Sequence, residues 1–189
     1  MKIGLYFGSF NPIHHGHLII ANHILQKEGL DQVWFVVSPQ NPFKENKTLL
    51  NEYQRLHLVN LAIEGEKGFR VSDIEFGLPR PSYTIDTLTY LGEKYPEHEF
   101  KIIMGSDSFQ NIGKWKSGNF ILENYEIIVY PRPGHSINSA KRDNVKWADA
   151  PLLEISSTSI RQKIKKRESI RYWVPNSVME EILKAGYYH

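Results

Sequence analysis

Cysteine is absent from the 189-residue chain, which removes disulfides, thiolate nucleophiles and Cys-ligated zinc from consideration. No apolar run approaches the roughly 18 residues that a membrane-crossing helix requires. Neither sign of charge dominates: 23 Lys and Arg face 21 Asp and Glu, for a formal net charge of +2. That balance argues against a broad nucleic-acid-binding surface but leaves room for a local phosphate pocket. Glycine, proline and histidines interrupt the chain soon after residues 3–7, before a secretory hydrophobic segment could form, so the expected location is the cytoplasm and no membrane partner is expected. The dinucleotide fingerprint G-x-G-x-x-G and the loop G-x-x-x-x-G-K-[ST] are also missing.

What is present has the balance of a globular protein, with 41% apolar and 23% charged residues. Residues 3–7, 33–37, 100–104 and 126–130 read as short buried strands, and residues 69–75 are strand-like. Helical periodicity runs from Gly16 to a stop at Gly29. It returns after a cap at Asn51 (Leu56, Val59, Leu61, Ile63), over 84–91, and over 156–166 and 177–185. Strands alternating with helices predict an α/β protein: a Rossmann-like open parallel sheet with helices on both faces and a small helical C-terminal part. No linker or composition shift divides it, so residues 1–189 are expected to form one domain. In such a sheet ligands bind beyond the carboxyl ends of the strands. The loops after Phe7, Val37, Met104 and Tyr130 should gather there.

The loop Gly8-Ser9-Phe10-Asn11-Pro12-Ile13-His14-His15-Gly16-His17 carries the most chemistry. Gly8 permits a sharp turn and close ligand approach. A helix beginning near Gly16 would aim its first N–H groups at an anion, with His14 and His17 on one side and His15 elsewhere. Zinc is a weak rival, since adjacent histidines seldom converge and no acid or thiol completes the set. Lys44, in the loop after the second strand, is either a cation reaching the cleft or a solvated loop lysine. Ser156, Ser157 and Thr158 read as caps, and Arg161 one turn along could hold two phosphate oxygens. Asp107 could bind a ribose or a phosphate-held metal, or cap a helix. Trp115 is either a core residue or a stacking surface. The amides around Thr84 could receive a carboxylate.

Gly8 through His17 and Ile155-Ser156-Ser157-Thr158-Ser159-Ile160-Arg161 resemble the two signatures of the nucleotidyltransferases with an H-x-G-H motif. Pro81-Ser82-Tyr83-Thr84-Ile85-Asp86-Thr87 resembles a motif of the bacterial nicotinate-nucleotide adenylyltransferases, and the likeness runs over essentially the whole chain. The resemblance implies transfer of the adenylyl group of ATP to nicotinate mononucleotide, giving deamido-NAD and pyrophosphate. It implies catalytic roles for His14, His17, Lys44 and Arg161. ATP contacts are implied for Gly8, Ser9, Phe10, Gly16, Ser156, Ser157 and Thr158, and mononucleotide contacts for Asn11, Thr84, Gly105, Asp107, Trp115, Lys116 and Arg132. Mg²⁺ would be carried on the phosphates, with no all-protein metal site. Asn11 stands where the family commonly has Asp, and Lys116 where it often has Tyr. Rival readings are a related transferase acting on another phosphomonoester, such as nicotinamide mononucleotide or phosphopantetheine, and a nucleotide-binding protein without turnover. A homo-oligomer is compatible with the sequence.

Overall fold

A computed structural model describes residues 1–39, 49–135 and 142–189. The chain runs β1 (Lys2–Gly8), α1 (His15–Lys27), β2 (Gln32–Val37), α2 (Glu52–Ile63), β3 (Phe69–Ser72), α3 (Thr84–Lys94), β4 (Glu99–Gly105) and α4 (Ser106–Phe109). It continues through α5 (Gly118–Asn124), β5 (Glu126–Tyr130), β6 (Val145–Trp147), α6 (Ser157–Lys165) and α7 (Asn176–Ala185). The six strands form one sheet in the order β3-β2-β1-β4-β5-β6, and every pair is parallel. The direction of winding reverses between β1 and β4, which opens the crevice where open α/β sheets bind ligands.

Period-two alternation sends successive strand residues to opposite faces and so builds two cores. Tyr6, Val33, Phe35, Val37, Ile103 and Ile128 pack with α1, α2, α6 and α7 on one face. Ile3, Leu5, Trp34, Val36, Ile102 and Val129 pack with α3, α4 and α5 on the other. The C-terminal helices do not form a separate core: Ile160, Ile164, Val178 and Ile182 are buried in the first cluster beside Ile20 and Ile24 of α1. No described helix is long and apolar enough to cross a membrane.

The expected caps and stops are in place. Asn51 Oδ1 accepts from the Tyr53 amide at 2.9 Å, Ser156 Oγ accepts from the Ser159 amide at 3.1 Å, and Gly29 follows α1 with φ +63°. One boundary is corrected. The strand predicted over residues 69–75 ends at Ser72, and a 3₁₀ turn over Ile74–Gly77 follows. That turn carries Glu75 inward to 2% exposure, where its carboxylate accepts from Ser82 Oγ at 2.8 Å and Thr87 Oγ1 at 2.9 Å. Two short elements have no clear sequence signal. The three-residue β6 is too short for alternation to register, and α5 opens on a glycine after a left-handed Ser117.

Candidate active site

The crevice at the carboxyl ends of β1 and β4 is a cavity of about 360 Å³, within the range of small-molecule sites. It is lined by Gly8, Ser9, Phe10, Asn11, His14 and His17 on one side, by Asp107, Ser108, Tyr130 and Arg132 on the other, and by Ser156, Ser157, Thr158 and Arg161 across its mouth. Of the residues expected at the phosphates, His14, His17, Arg161, Gly8, Ser9, Phe10, Ser156, Ser157 and Thr158 line one cavity. Thr84, Gly105, Trp115, Lys116 and Gly16 do not line this cavity, and Lys44 falls outside the described residues.

The loop after β1 is shaped by one aromatic ring. Phe10 adopts φ +44°, a left-handed conformation uncommon for a bulky residue. Its ring is 2% exposed and meets Tyr6, Phe35 and His17 edge-on at 5.8, 5.6 and 5.1 Å. It folds back over Gly8, where a Cβ would come within 2.9 Å of the ring. Gly8 is thus required for the loop's own packing as well as for ligand approach.

His14 occupies the N-cap position of α1, and the rings of His14 and His17 stack with centroids 3.7 Å apart and planes 24° apart. Their one-sided placement matches the helical spacing. Gly16 gives the stack room, because a Cβ there would approach the His14 ring to 3.0 Å and press on it. The expectation for the helix amides needs correction: the first, at His15, donates to the Trp173 carbonyl at 3.0 Å rather than facing the crevice. Burial, then the charges of Arg132 and His15, hold the pKa of His14 down to about 3. His14 is therefore a neutral imidazole in the ligand-free protein. Its Nδ1 is enclosed without a hydrogen-bond partner among the described residues. A buried N–H without an acceptor is disfavoured, so the proton belongs on Nε2, which can donate.

Two arginines hold the loops. Arg55 is fully buried on the inner face of α2. Its guanidinium donates to the carbonyls of Leu50 (2.9 Å), Ser9 (2.6 Å), Ser38 (2.8 Å) and Pro39 (3.0 Å), and burial lowers its pKa to about 10. Sequence periodicity overlooked this residue. The signal available was its position three and four residues before Leu58 and Val59, which puts a cation on the buried face. Arg161 donates through Nη1 to the Asn11 carbonyl at 2.7 Å and through Nη2 to Thr158 Oγ1 at 3.2 Å. Its fork is thus partly engaged with the protein rather than wholly offered to a phosphate. Asn11 Oδ1 accepts from the Leu50 amide at 3.2 Å, a contact that needs an oxygen but no negative charge.

On the opposite bank the Arg132 amide donates to Ser106 Oγ at 3.0 Å, and its Nε lies 3.7 Å from Asp107 Oδ1. Gly105 sits beneath both side chains, where a Cβ would collide with them. Further along the sheet edge, Thr84 opens α3 and Lys116 Nζ contacts both oxygens of Asp86 at 2.8 Å. The same ammonium lies 4.9 Å from the centre of the Tyr83 ring. Trp115 packs against the second core. Lys116, Asp86 and Tyr83 form a cluster of their own outside the lining of the crevice. Among the described residues, no three His, Asp or Glu side chains converge into a metal cage.

The cytidylyltransferase-like family profile matches residues 5–163. A protein of Cytophaga hutchinsonii named "probable nicotinate-nucleotide adenylyltransferase" is 55% identical over 190 residues, covering 100% of this chain and 98% of its own. The chain belongs to the nicotinate-nucleotide adenylyltransferase family. A second member, from Flavobacterium psychrophilum, is 50% identical over 194 residues and is covered to 99%. The fold is shared with Plasmodium falciparum nicotinic acid mononucleotide adenylyltransferase in complex with NaAD, at a TM-score of 0.84 and 22% identity, over 99% of this chain and 97% of that one. In this member of the nicotinate-nucleotide adenylyltransferase family Asn11 Oδ1 accepts from the Leu50 amide and Lys116 pairs with Asp86.

Proposed function

We propose that this protein transfers the adenylyl group of ATP to nicotinate mononucleotide, giving deamido-NAD and pyrophosphate. One observation carries the reading: two stacked imidazoles and two arginines surround a single crevice at the reversal of strand order, in a chain that matches adenylyltransferases along its whole length.

An ionised phosphate oxygen of the mononucleotide attacks the α-phosphorus in line. The new O–P bond forms as the bond to the β,γ-pyrophosphate breaks, and the charge leaves with pyrophosphate. No base is needed, so positioning and electrostatic stabilisation do most of the catalysis. His14, through Nε2–H, and His17 donate to the phosphate oxygens. Arg161 and Arg132 face the charge across the crevice, and Lys44 is assigned to the pyrophosphate side. Gly8, Ser9, Phe10, Ser156, Ser157 and Thr158 form the walls against which the triphosphate lies. Mg²⁺ arriving with ATP would add neutralisation and would be held by phosphate oxygens and water rather than by side chains.

Asn11, Asp107 and Arg132 bound the mononucleotide's phosphate and ribose. Thr84, Trp115 and Lys116 are assigned to the pyridine end, where the amides at the start of α3 meet a carboxylate. An amide would present N–H₂ to those donors, a mismatch of a few kcal/mol.

The test is pyrophosphate release with ATP and each of nicotinate mononucleotide, its amide and phosphopantetheine. Turnover with the nicotinate form and a clear preference over the amide are expected. Turnover only with phosphopantetheine, or ATP binding without turnover, would reject the proposal.

A further inference from the structure

We infer that Tyr130 contacts the substrate, its hydroxyl donating to a phosphate oxygen of bound ATP, and that Tyr6 is the positioning residue that aims it. The inference rests on the reading of the crevice as an ATP site. Tyr6 lies on β1 and Tyr130 ends β5, one on each side of β4. Both face the same side of the sheet and line the crevice with His14, His17 and Arg132. Their oxygens are 3.0 Å apart.

Two hydroxyls carry two protons and share one hydrogen bond, so one proton is left over. Tyr6 is the more enclosed of the two, at 3% exposure, with its ring set edge-on to Phe10 and to His17. Tyr6 donates and Tyr130 accepts. The remaining proton is then that of Tyr130, whose main chain runs on into Pro131 and Arg132 at the crevice wall. Among the described residues the Tyr130 hydroxyl accepts from Tyr6 and donates no hydrogen bond of its own.

Packing alone does not account for this pair. Two phenylalanines would fill nearly the same volume without burying polar atoms, and a buried hydroxyl is unfavourable unless its hydrogen bonds are made. Burial holds both phenols above the ordinary tyrosine range, so both are protonated donors near neutral pH. A phosphate oxygen is a strong acceptor for such a donor, because hydrogen bonds to charged groups exceed neutral ones. With its oxygen occupied by Tyr6, the Tyr130 hydroxyl has few orientations left, and donation into the crevice is pre-organised.

Tyr130→Phe, Tyr6→Phe and the double variant test this, with ATP affinity read by calorimetry, pyrophosphate release by steady-state kinetics and folding by thermal unfolding. Tyr130→Phe is expected to weaken ATP binding about tenfold, the scale of one lost hydrogen bond to a charged group. Tyr6→Phe should weaken it less, and the double variant should be no weaker than Tyr130→Phe, since Tyr6 acts only through its partner. A purely structural pair would shift the unfolding temperature and leave ATP affinity alone. An ATP Kd within twofold of the parent in Tyr130→Phe overturns the inference, as do single effects that multiply in the double variant. Calorimetry does not depend on the acceptor, so a parent that binds ATP beside an unaltered Tyr130→Phe defeats this inference only. A parent that binds no ATP defeats both readings.

Discussion

The two banks of the crevice are held by different physics. On the β1–β2 bank the loops are tied by a buried guanidinium that donates to four backbone carbonyls, and by Asn11 and Arg161 across the same turn. On the β4–β5 bank and at the start of α3, beside the hydrogen bonds of Glu75 with Ser82 and Thr87 and of the Arg132 amide with Ser106, the charged side chains are tied by ion pairs in partial contact with water. The side chains of Arg132 and Asp107 are 38% and 39% exposed, and those of Lys116 and Asp86 are 49% and 37% exposed. Buried donors with satisfied acceptors are costly to disturb, whereas exposed ion pairs contribute little and re-form easily. The difference places the stiffer loop ties on the bank that carries His14 and His17 and the looser side-chain ties on the bank that carries Arg132 and Lys116.

The largest effect should come from breaking the stiffer bank. Arg55→Met leaves several buried carbonyls without donors, and unfolding free energy is expected to fall by about 4 kcal/mol or more. Urea denaturation measures it, and a loss below about 1 kcal/mol would show that the brace is dispensable. Next in size is His17→Ala, expected to lower kcat by about 10²–10³, or about 3–4 kcal/mol, with circular dichroism unchanged. A normal kcat would remove this imidazole from the mechanism.

The stiffer bank should also be the more sensitive to acid. His14 has its pKa lowered from 6.5 to about 3 in the folded protein, so between these values the unfolded chain binds a proton that the folded chain does not. Its contribution to stability is complete above pH 6.5 and is lost as the pH falls toward 3. Urea midpoints for the parent and His14→Gln at pH 7 and pH 4.5 should show a shallower acid slope in the variant. Equal slopes would contradict the burial argument. The smallest effect belongs to the looser bank. Lys116→Ala should change stability by less than about 1 kcal/mol and lower the preference for the nicotinate over the nicotinamide mononucleotide by roughly twofold to fivefold, a modest share of the few kcal/mol assigned to the carboxylate. An unaltered ratio would place the whole preference on the amides of α3.

Much of this arrangement was legible in the chain because short, strongly apolar strands and helical spacing are local signals. The strand Glu126–Tyr130 appears with the predicted bounds, and the three-residue spacing of His14 and His17 produces the stack. What escaped notice depends on partners distant in sequence. Tyr6 and Tyr130 are 124 positions apart, and each reads singly as an apolar strand residue. Arg55 finds its acceptors only where the loop after β1 meets both ends of the β2–α2 connection. The inward turn of Glu75 likewise needs Ser82, just before α3, and Thr87, within it, to satisfy it. The family resemblance marked Lys116 as a departure from a frequent Tyr, and its contact with Asp86 is a matter of tertiary geometry.

The hydrogen bond from the His15 amide to the Trp173 carbonyl has a bearing on where this enzyme can be cut. The family profile stops at residue 163, ten positions short of the tryptophan whose main chain buttresses the histidine-bearing helix from behind. The hydroxyl of Tyr188, further still toward the tail, is enclosed and feels the charges of Arg161 and Arg55. A fragment trimmed to the recognisable motif would therefore keep every reactive side chain and lose the backing that holds two of them in line.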